Sequence, residues 1–218
     1  MIGPSPNCGE RRGGVLPDMI VIHYTAMASC AEARLRLCDP VAEVSAHWLV
    51  DTDGTAEMLV PEALRAWHAG AGEWAGVTDV NSRSIGIELA NPGNAPFPAP
   101  QMRGLERLLA GIMDRWQVPP HRVIGHSDMA PLRKGDPGAR FDWRVLARAG
   151  LSVWPADVQA DPAGFAVSAR AFGYPDVAPD ALLAAFRLRF RPWATGPLDG
   201  VDAGMAADLA LRFSKALG

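Results

Sequence analysis

Four ionisable side chains stand where a folded chain ordinarily places apolar ones. His23 lies inside the β-branched run MIVIHY, Glu88 inside IGIEL, and His126 directly follows VIG, with Asp136 further on in the turn Lys134-Gly-Asp-Pro-Gly138. Burying a charge or an imidazole without a partner costs several kcal/mol, so each of these positions needs an explanation. Two imidazoles and one carboxylate are a common three-ligand set for a catalytic zinc, whose fourth position is kept for water. The remaining glutamate can then serve as base. Each histidine taken alone fits a hydrogen-bonded core position better than a ligand position. No H-E-x-x-H motif joins them, and the distance along the chain from 23 to 136 proves no contact.

The elements that must position these residues follow from pattern. Met19 to Tyr24 reads as a buried strand. Ser29-Cys-Ala-Glu32 is a capping box opening a helix to about Leu37, stopped by Asp39-Pro40. Ala46 to Val50 and Glu57 to Val60 flank Asp53-Gly54, a hairpin signal. Ile85 to Leu89 is a further strand, Gln101 to Gln117 an amphipathic helix, and Val123 to Gly125 a short strand ending at His126. The irregular alternation predicts an α/β fold, a mixed central sheet flanked by helices, over residues 1–152. Val153 to Asp157 reads as a linker. Asp161 to Phe172, Ala178 to Phe190 and Asp202 to Leu217 then have helical spacing, which predicts a small all-α module over 160–218.

Composition narrows the function. The 218 residues are 49% hydrophobic and carry 21 Lys+Arg against 24 Asp+Glu, so there is no broad basic footprint for nucleic acid. No run is long and apolar enough for a membrane span. The stretch Met1 to Arg12 lacks a signal peptide's apolar centre, so the expectation is a cytoplasmic protein, or an envelope or secreted one if a leader has been removed. Cys8, Cys30 and Cys38 form no C-x-x-C pair and read as free thiols. The chain is expected to be a monomer.

The segments IVIHYT around His23, VSAHWLVDTDG (44–54), AWHAG (66–70), NSRSIGIELAN (81–91) and VIGHSDMAPLRKGDPG (123–138) occur in this order. Together they resemble the zinc-dependent N-acetylmuramoyl-L-alanine amidases of the type 2 amidase and peptidoglycan-recognition-protein fold. The resemblance covers about Ser5 to Leu151. It implies that one Zn²⁺ is held by His23, His126 and Asp136, with Glu88 as catalytic acid/base and Lys134 as a charge near the developing oxyanion. The implied reaction is hydrolysis of the amide between N-acetylmuramic acid and L-alanine in peptidoglycan or muropeptides. Residues 160–218 resemble, on GY, AAFRLRF and G-P-L-D-G, the small helical peptidoglycan-binding module that often follows such an amidase; the other reading is that they only cover an apolar face of the amidase core.

His47, Trp67, His68 and Asn91 belong to matching segments and are candidates for substrate contact; a structural role is open for each. Arg83 and His121 read as surface residues, and Phe172, Tyr174, Phe186, Phe190 and Trp193 as core rather than sugar-stacking positions. Two other readings stand beside the enzyme. One is a non-catalytic peptidoglycan-binding or sensing protein on the same fold, against which the complete set of five catalytic positions argues. The other is a zinc hydrolase of some other small amide, which leaves the carboxy-terminal module without a purpose.

Overall fold

The computed structural model describes residues 5–214. In chain order the strands are β1 (Cys8–Gly9), β2 (Met19–Tyr24), β3 (Trp48–Val50), β4 (Ala56–Met58), β5 (Arg65–Ala66), β6 (Ser84–Leu89) and β7 (Val123–Gly125). The α-helices are α1 (Cys30–Leu37), α2 (Val80–Arg83), α3 (Ala99–Trp116), α4 (His126–Met129), α5 (Trp143–Arg148), α6 (Phe165–Phe172), α7 (Pro179–Phe190) and α8 (Gly200–Phe213). Five strands form a mixed sheet in the order β4-β3-β6-β2-β7, parallel except for β4 against β3. β1 and β5 make a separate antiparallel ribbon. The expected mixed sheet with flanking helices is therefore the observed architecture.

β2 and β6 are central and parallel, so both of their faces must be covered. Side chains alternate between the faces. Ile20, Ile22, Ile85, Ile87 and Leu89 pack with Met102, Leu105, Leu109 and Ile112 of α3. Met19 and Val21 point the other way, into a cluster with Trp74, Ile124 and Met129 that also takes in Phe165, Phe172, Leu182, Phe186, Phe190 and Leu209. The carboxy-terminal helices thus cover the second face. At about 1.5–3 kcal/mol for each large apolar side chain, burial of Phe172, Leu182, Phe186 and Phe190 is comparable to a domain's whole net stability of about 5–15 kcal/mol.

Local signals explain most of the boundaries. Ser29 caps α1, its hydroxyl accepting from the Glu32 amide. The hairpin turn brings Gly54, at φ +89°, against α3, where a Cβ on Gly104 would lie 2.3 Å from the Gly54 carbonyl oxygen. Gln101 fastens the same helix by donating to the Val50 and Ala90 carbonyls. Three expectations shift. The helix expected from Asp161 begins at Phe165, because Asp161 caps a single 3-10 turn instead. The segment expected as a linker is packed, with Val153 and Pro155 buried and Trp154 edge-on to Phe190 at 5.8 Å. The last helix starts earlier, capped by Asp199, and ends at Phe213; the expected end at Leu217 lies outside the described residues.

Candidate active site

β2 and β6 run parallel with His23 directly beside Glu88, so the two side chains leave the same face as neighbours. On the other side of β2, β7 ends at Gly125 and α4 begins with His126. All three residues therefore sit at the carboxyl ends of parallel strands, where open α/β sheets bind their ligands. Asp136 joins them because the turn carrying it is tied back to α4, the Ser127 amide donating to the Asp136 carbonyl at 2.9 Å.

The result is a triangle of ligand-type atoms. His23 Nδ1 and His126 Nδ1 are 2.9 Å apart, and each is 3.0 Å from Asp136 Oδ2. Their protonation states can be assigned from the hydrogen-bond network. His126 Nε2 faces the Ala69 carbonyl at 2.9 Å, which can only accept, so Nε2 carries a proton and, in the neutral ring, Nδ1 offers a lone pair. For His23 the argument runs through a chain. The Ser84 hydroxyl donates to the Val80 carbonyl and so accepts from His68 Nε2 at 3.1 Å, leaving His68 Nδ1 to accept from His23 Nε2 at 3.0 Å. In their neutral forms both rings thus turn the lone pair of Nδ1 toward the same carboxylate oxygen. Burial, then repulsion from His126, holds His23 down to about 4, so the ring is neutral near pH 7. Two lone pairs and an anion this close repel unless a cation lies between them, and two nitrogens with one oxygen are a zinc donor set. The residues present fit a divalent metal.

The same geometry explains a glycine. A Cβ on Gly86 would lie 2.4 Å from Cγ of His68, so only glycine in β6 admits that ring. Ser84, Gly86 and Glu88 alternate with Ile85, Ile87 and Leu89, which gives β6 one apolar face and one face shaped around the site.

Glu88 stands against the triangle with Oε2 buried and without a hydrogen-bond partner. Burial, and then the negative charge of Asp136, push its carboxyl up to about 8, with Lys134 opposing the rise. A cation at the triangle would draw that value down. The carboxyl is thereby poised to take and return a proton. Lys134 is exposed at the rim of a cleft of about 410 Å³ that is also lined by Trp67, His68, Met27, Leu37 and Val44.

The structure therefore brings together His23, Glu88, His126, Lys134, Asp136, Trp67 and His68. It does not bring His47 or Asn91 to the cleft wall. His47 is fully buried, its Nδ1 accepting from the Gly86 amide and its Nε2 facing the Leu64 carbonyl, and burial lowers it to about 4. Asn91 closes its own loop by accepting from the Gly93 amide and donating to the Ala95 carbonyl. Arg83 pairs with Asp18, and His121, expected to face solvent, stacks on Phe213 at 5.4 Å. Sequence reasoning passed over Ser84, Asp128, and the cleft cations Arg36 and Arg133. Only Ser84 left a signal, as a small polar residue in phase with Gly86 and Glu88.

Comparison with known proteins bears on the family to which the chain belongs. Residues 13–139 match the family model described as N-acetylmuramoyl-L-alanine amidase. The chain is 36% identical to the N-acetylmuramoyl-L-alanine amidase AmiD of Escherichia coli K12 over 90% of this chain and 83% of that protein. Superposition on AmiD solved with the substrate anhydro-N-acetylmuramic acid-L-Ala-D-gamma-Glu-L-Lys gives a TM-score of 0.82 at 31% identity, covering 95% of this chain and 98% of that one. AmpDh3 of Pseudomonas aeruginosa in complex with an anhydromuramic pentapeptide gives 0.83 at 30% identity, covering 93% and 94%. These coverages take in the carboxy-terminal helices as well as the sheet. With the family model spanning more than half its length, the chain belongs to the type 2 N-acetylmuramoyl-L-alanine amidase family.

Proposed function

We propose that the protein is a zinc-dependent amidase that hydrolyses the amide between N-acetylmuramic acid and L-alanine, with His23, His126 and Asp136 as the metal ligands. The observation that carries this reading is the triangle of two Nδ1 atoms and one carboxylate oxygen beside the buried, unpartnered Oε2 of Glu88. Zinc held there would supply Lewis acidity to the lactyl carbonyl and lower the pKa of a neighbouring water. Glu88 takes the proton of the attacking water and returns it to the leaving amine of L-alanine. Lys134 supplies positive charge where the carbonyl oxygen becomes an oxyanion, a contribution of about 2.7–4 kcal/mol for a well-placed donor. His68 and Ser84 keep the His23 proton on Nε2, so that Nδ1 stays available.

The cleft fits a muropeptide. Met27, Leu37, Val44 and Trp67 offer an apolar wall, while Arg36 and Arg133 bring positive charge for the carboxylates of a peptide stem. A metal-free recognition protein would have no use for Glu88 left unpaired, so the catalytic reading stands over the sensing one. A wall-contacting role for residues 160–218 belongs to the same proposal, supported by Trp193, which is 65% exposed instead of taking the core position expected of it. Sedimentation with sacculi, weakened by Trp193→Ala in the full chain, would support that role; binding unchanged by this substitution would remove the support that Trp193 lends.

The deciding experiment is mass spectrometry of products from sacculi and from a soluble anhydro-muropeptide, run side by side with and without a chelator. The expected products are the free stem peptide beginning with L-alanine and the peptide-free sugar, lost on chelation and restored by zinc. Cleavage at another bond, or cleavage indifferent to chelation, would sink the proposal.

A further inference from the structure

We infer that Tyr174 and Arg189, from the carboxy-terminal helical segment, are positioning residues for the metal centre, acting through the buried carboxylate of Asp128. The inference rests on the reading of His126 and Asp136 as metal ligands.

α4 has only four residues, too few to hold a helical turn by its own hydrogen bonds. Yet much of the site hangs from it. It begins with His126, its Ser127 amide fixes the Asp136 backbone, and the Ala130 carbonyl just after it accepts from the Lys134 amide at 3.0 Å. Whatever fixes α4 therefore fixes two ligands and the rim lysine together.

What fixes it is Asp128. This side chain is fully buried, and its Oδ2 accepts from the Gly125 amide at 2.8 Å, capping the helix at the residue before His126. A buried carboxylate survives only if its remaining lone pairs and its charge are matched. Both matches come from the carboxy-terminal segment. Arg189 of α7, 2% exposed, donates Nη1 to Asp128 Oδ2 at 2.8 Å, and the Tyr174 hydroxyl donates to Oδ1 at 2.6 Å. Arg189 also donates Nη2 to the Val123 carbonyl at 2.9 Å and lies 4.5 Å over the ring of Trp143, so the guanidinium is held from three sides. Tyr174 reaches Asp128 because Gly173, at φ +145°, turns the chain where a Cβ would lie 2.6 Å from Trp74. The Gly-Tyr pair after α6 is thus one of the means, beside Arg189, by which the second segment reaches α4.

A merely structural role would lower stability without singling out the metal, so the test separates the two. Zinc affinity by chelator competition and melting of the metal-free chain are measured for the full-length protein and for Tyr174→Phe, Arg189→Lys, Leu209→Ala and His126→Ala. Leu209 is fully buried among the same helices, and none of the hydrogen bonds to Asp128 comes from it. The two conservative variants should each weaken zinc binding by about tenfold, the lower end for outer-shell partners of a metal site. Leu209→Ala should lower the melting temperature and leave zinc affinity unchanged. Unchanged affinity in Tyr174→Phe and Arg189→Lys, with zinc lost in His126→Ala, would overturn this inference alone. Zinc retained in His126→Ala would overturn the ligand assignment and the inference with it.

Discussion

The two faces of the central sheet are built from the same two strands and do different work. The face under α3 takes Ile20, Ile22, Ile85, Ile87 and Leu89, all fully buried and all aliphatic. The opposite face takes His23, Ser84, Gly86 and Glu88 from those strands, beside Met19 and Val21. The first is held mainly by packing and tolerates apolar side chains of about the right volume. The second holds two ionisable groups and the floor of a ring-sized recess, so its side chains are fixed by chemistry and by close approach. A strand's alternation thus lets one sheet separate the burden of stability from that of reactivity.

The largest expected effect would break this division outright. The His23→Ala, Asp136→Ala double variant should lose zinc and hydrolysis together, because one remaining ligand cannot hold the ion tightly; metal analysis decides it. On the opposite face Ile87→Val should cost about 0.5–1.5 kcal/mol of stability and keep both metal and turnover. Zinc retained in the double variant would undo the assignment of the reactive face.

Glu88→Gln should keep zinc and fold while kcat falls by about 10²–10⁴-fold, because the amide cannot take a proton from water. Near-normal kcat at full metal content would show that Glu88 has no part in the proton transfer. Gly86→Ala comes next. Its added Cβ meets the His68 ring, which should swing away and release the His23 tautomer, weakening zinc by about 10–100-fold. An alanine here that left zinc affinity unchanged would mean that the histidine chain is dispensable.

A smaller effect concerns pH. His47 sits at about 4 in the folded metal-free chain, below its ordinary 6.5, because burial disfavours the imidazolium. Between those values the unfolded chain binds the proton and the folded chain does not. Stability from this group is therefore full above about 6.5 and is lost as the pH falls toward 4. Thermal melts of the metal-free protein across that window should show the loss, and His47→Gln should flatten part of it. The smallest effect is expected for Arg36→Ala at the exposed rim, where KM should rise by up to about fivefold with kcat unchanged, in keeping with the about 0.2–1 kcal/mol of an exposed ion pair.

The apolar face was legible almost residue by residue, since Ile85, Ile87 and Leu89 announce themselves by period. On the reactive face His23, Glu88, His126 and Asp136 were also legible, because an ionisable group in an apolar run or at its end is conspicuous. What pattern could not supply was partnership. His68 and Ser84 are 16 residues apart in the chain and Asp128 and Arg189 are 61 apart, and nothing in either neighbourhood names the other. Asp128 in particular reads as an ordinary polar residue of a short helix. Periodicity reports whether a side chain is buried; it does not report what meets it there. His47 shows the converse, since its segment pointed to the cleft while its ring is spent on the Gly86 amide and the Leu64 carbonyl.

Arg189 has one more consequence. β7 is an edge strand of three residues, and an edge ordinarily offers its unpaired backbone groups to any passing strand. The guanidinium occupies the Val123 carbonyl, so at that point the edge is already closed by a cation. The far edge, β4, is equally short and carries Glu57 paired with Arg34. Both margins of the sheet are therefore blunted by charge. Losing Arg189 would reopen a template for edge-to-edge association, and clumping on storage is the failure by which such a variant would first be noticed.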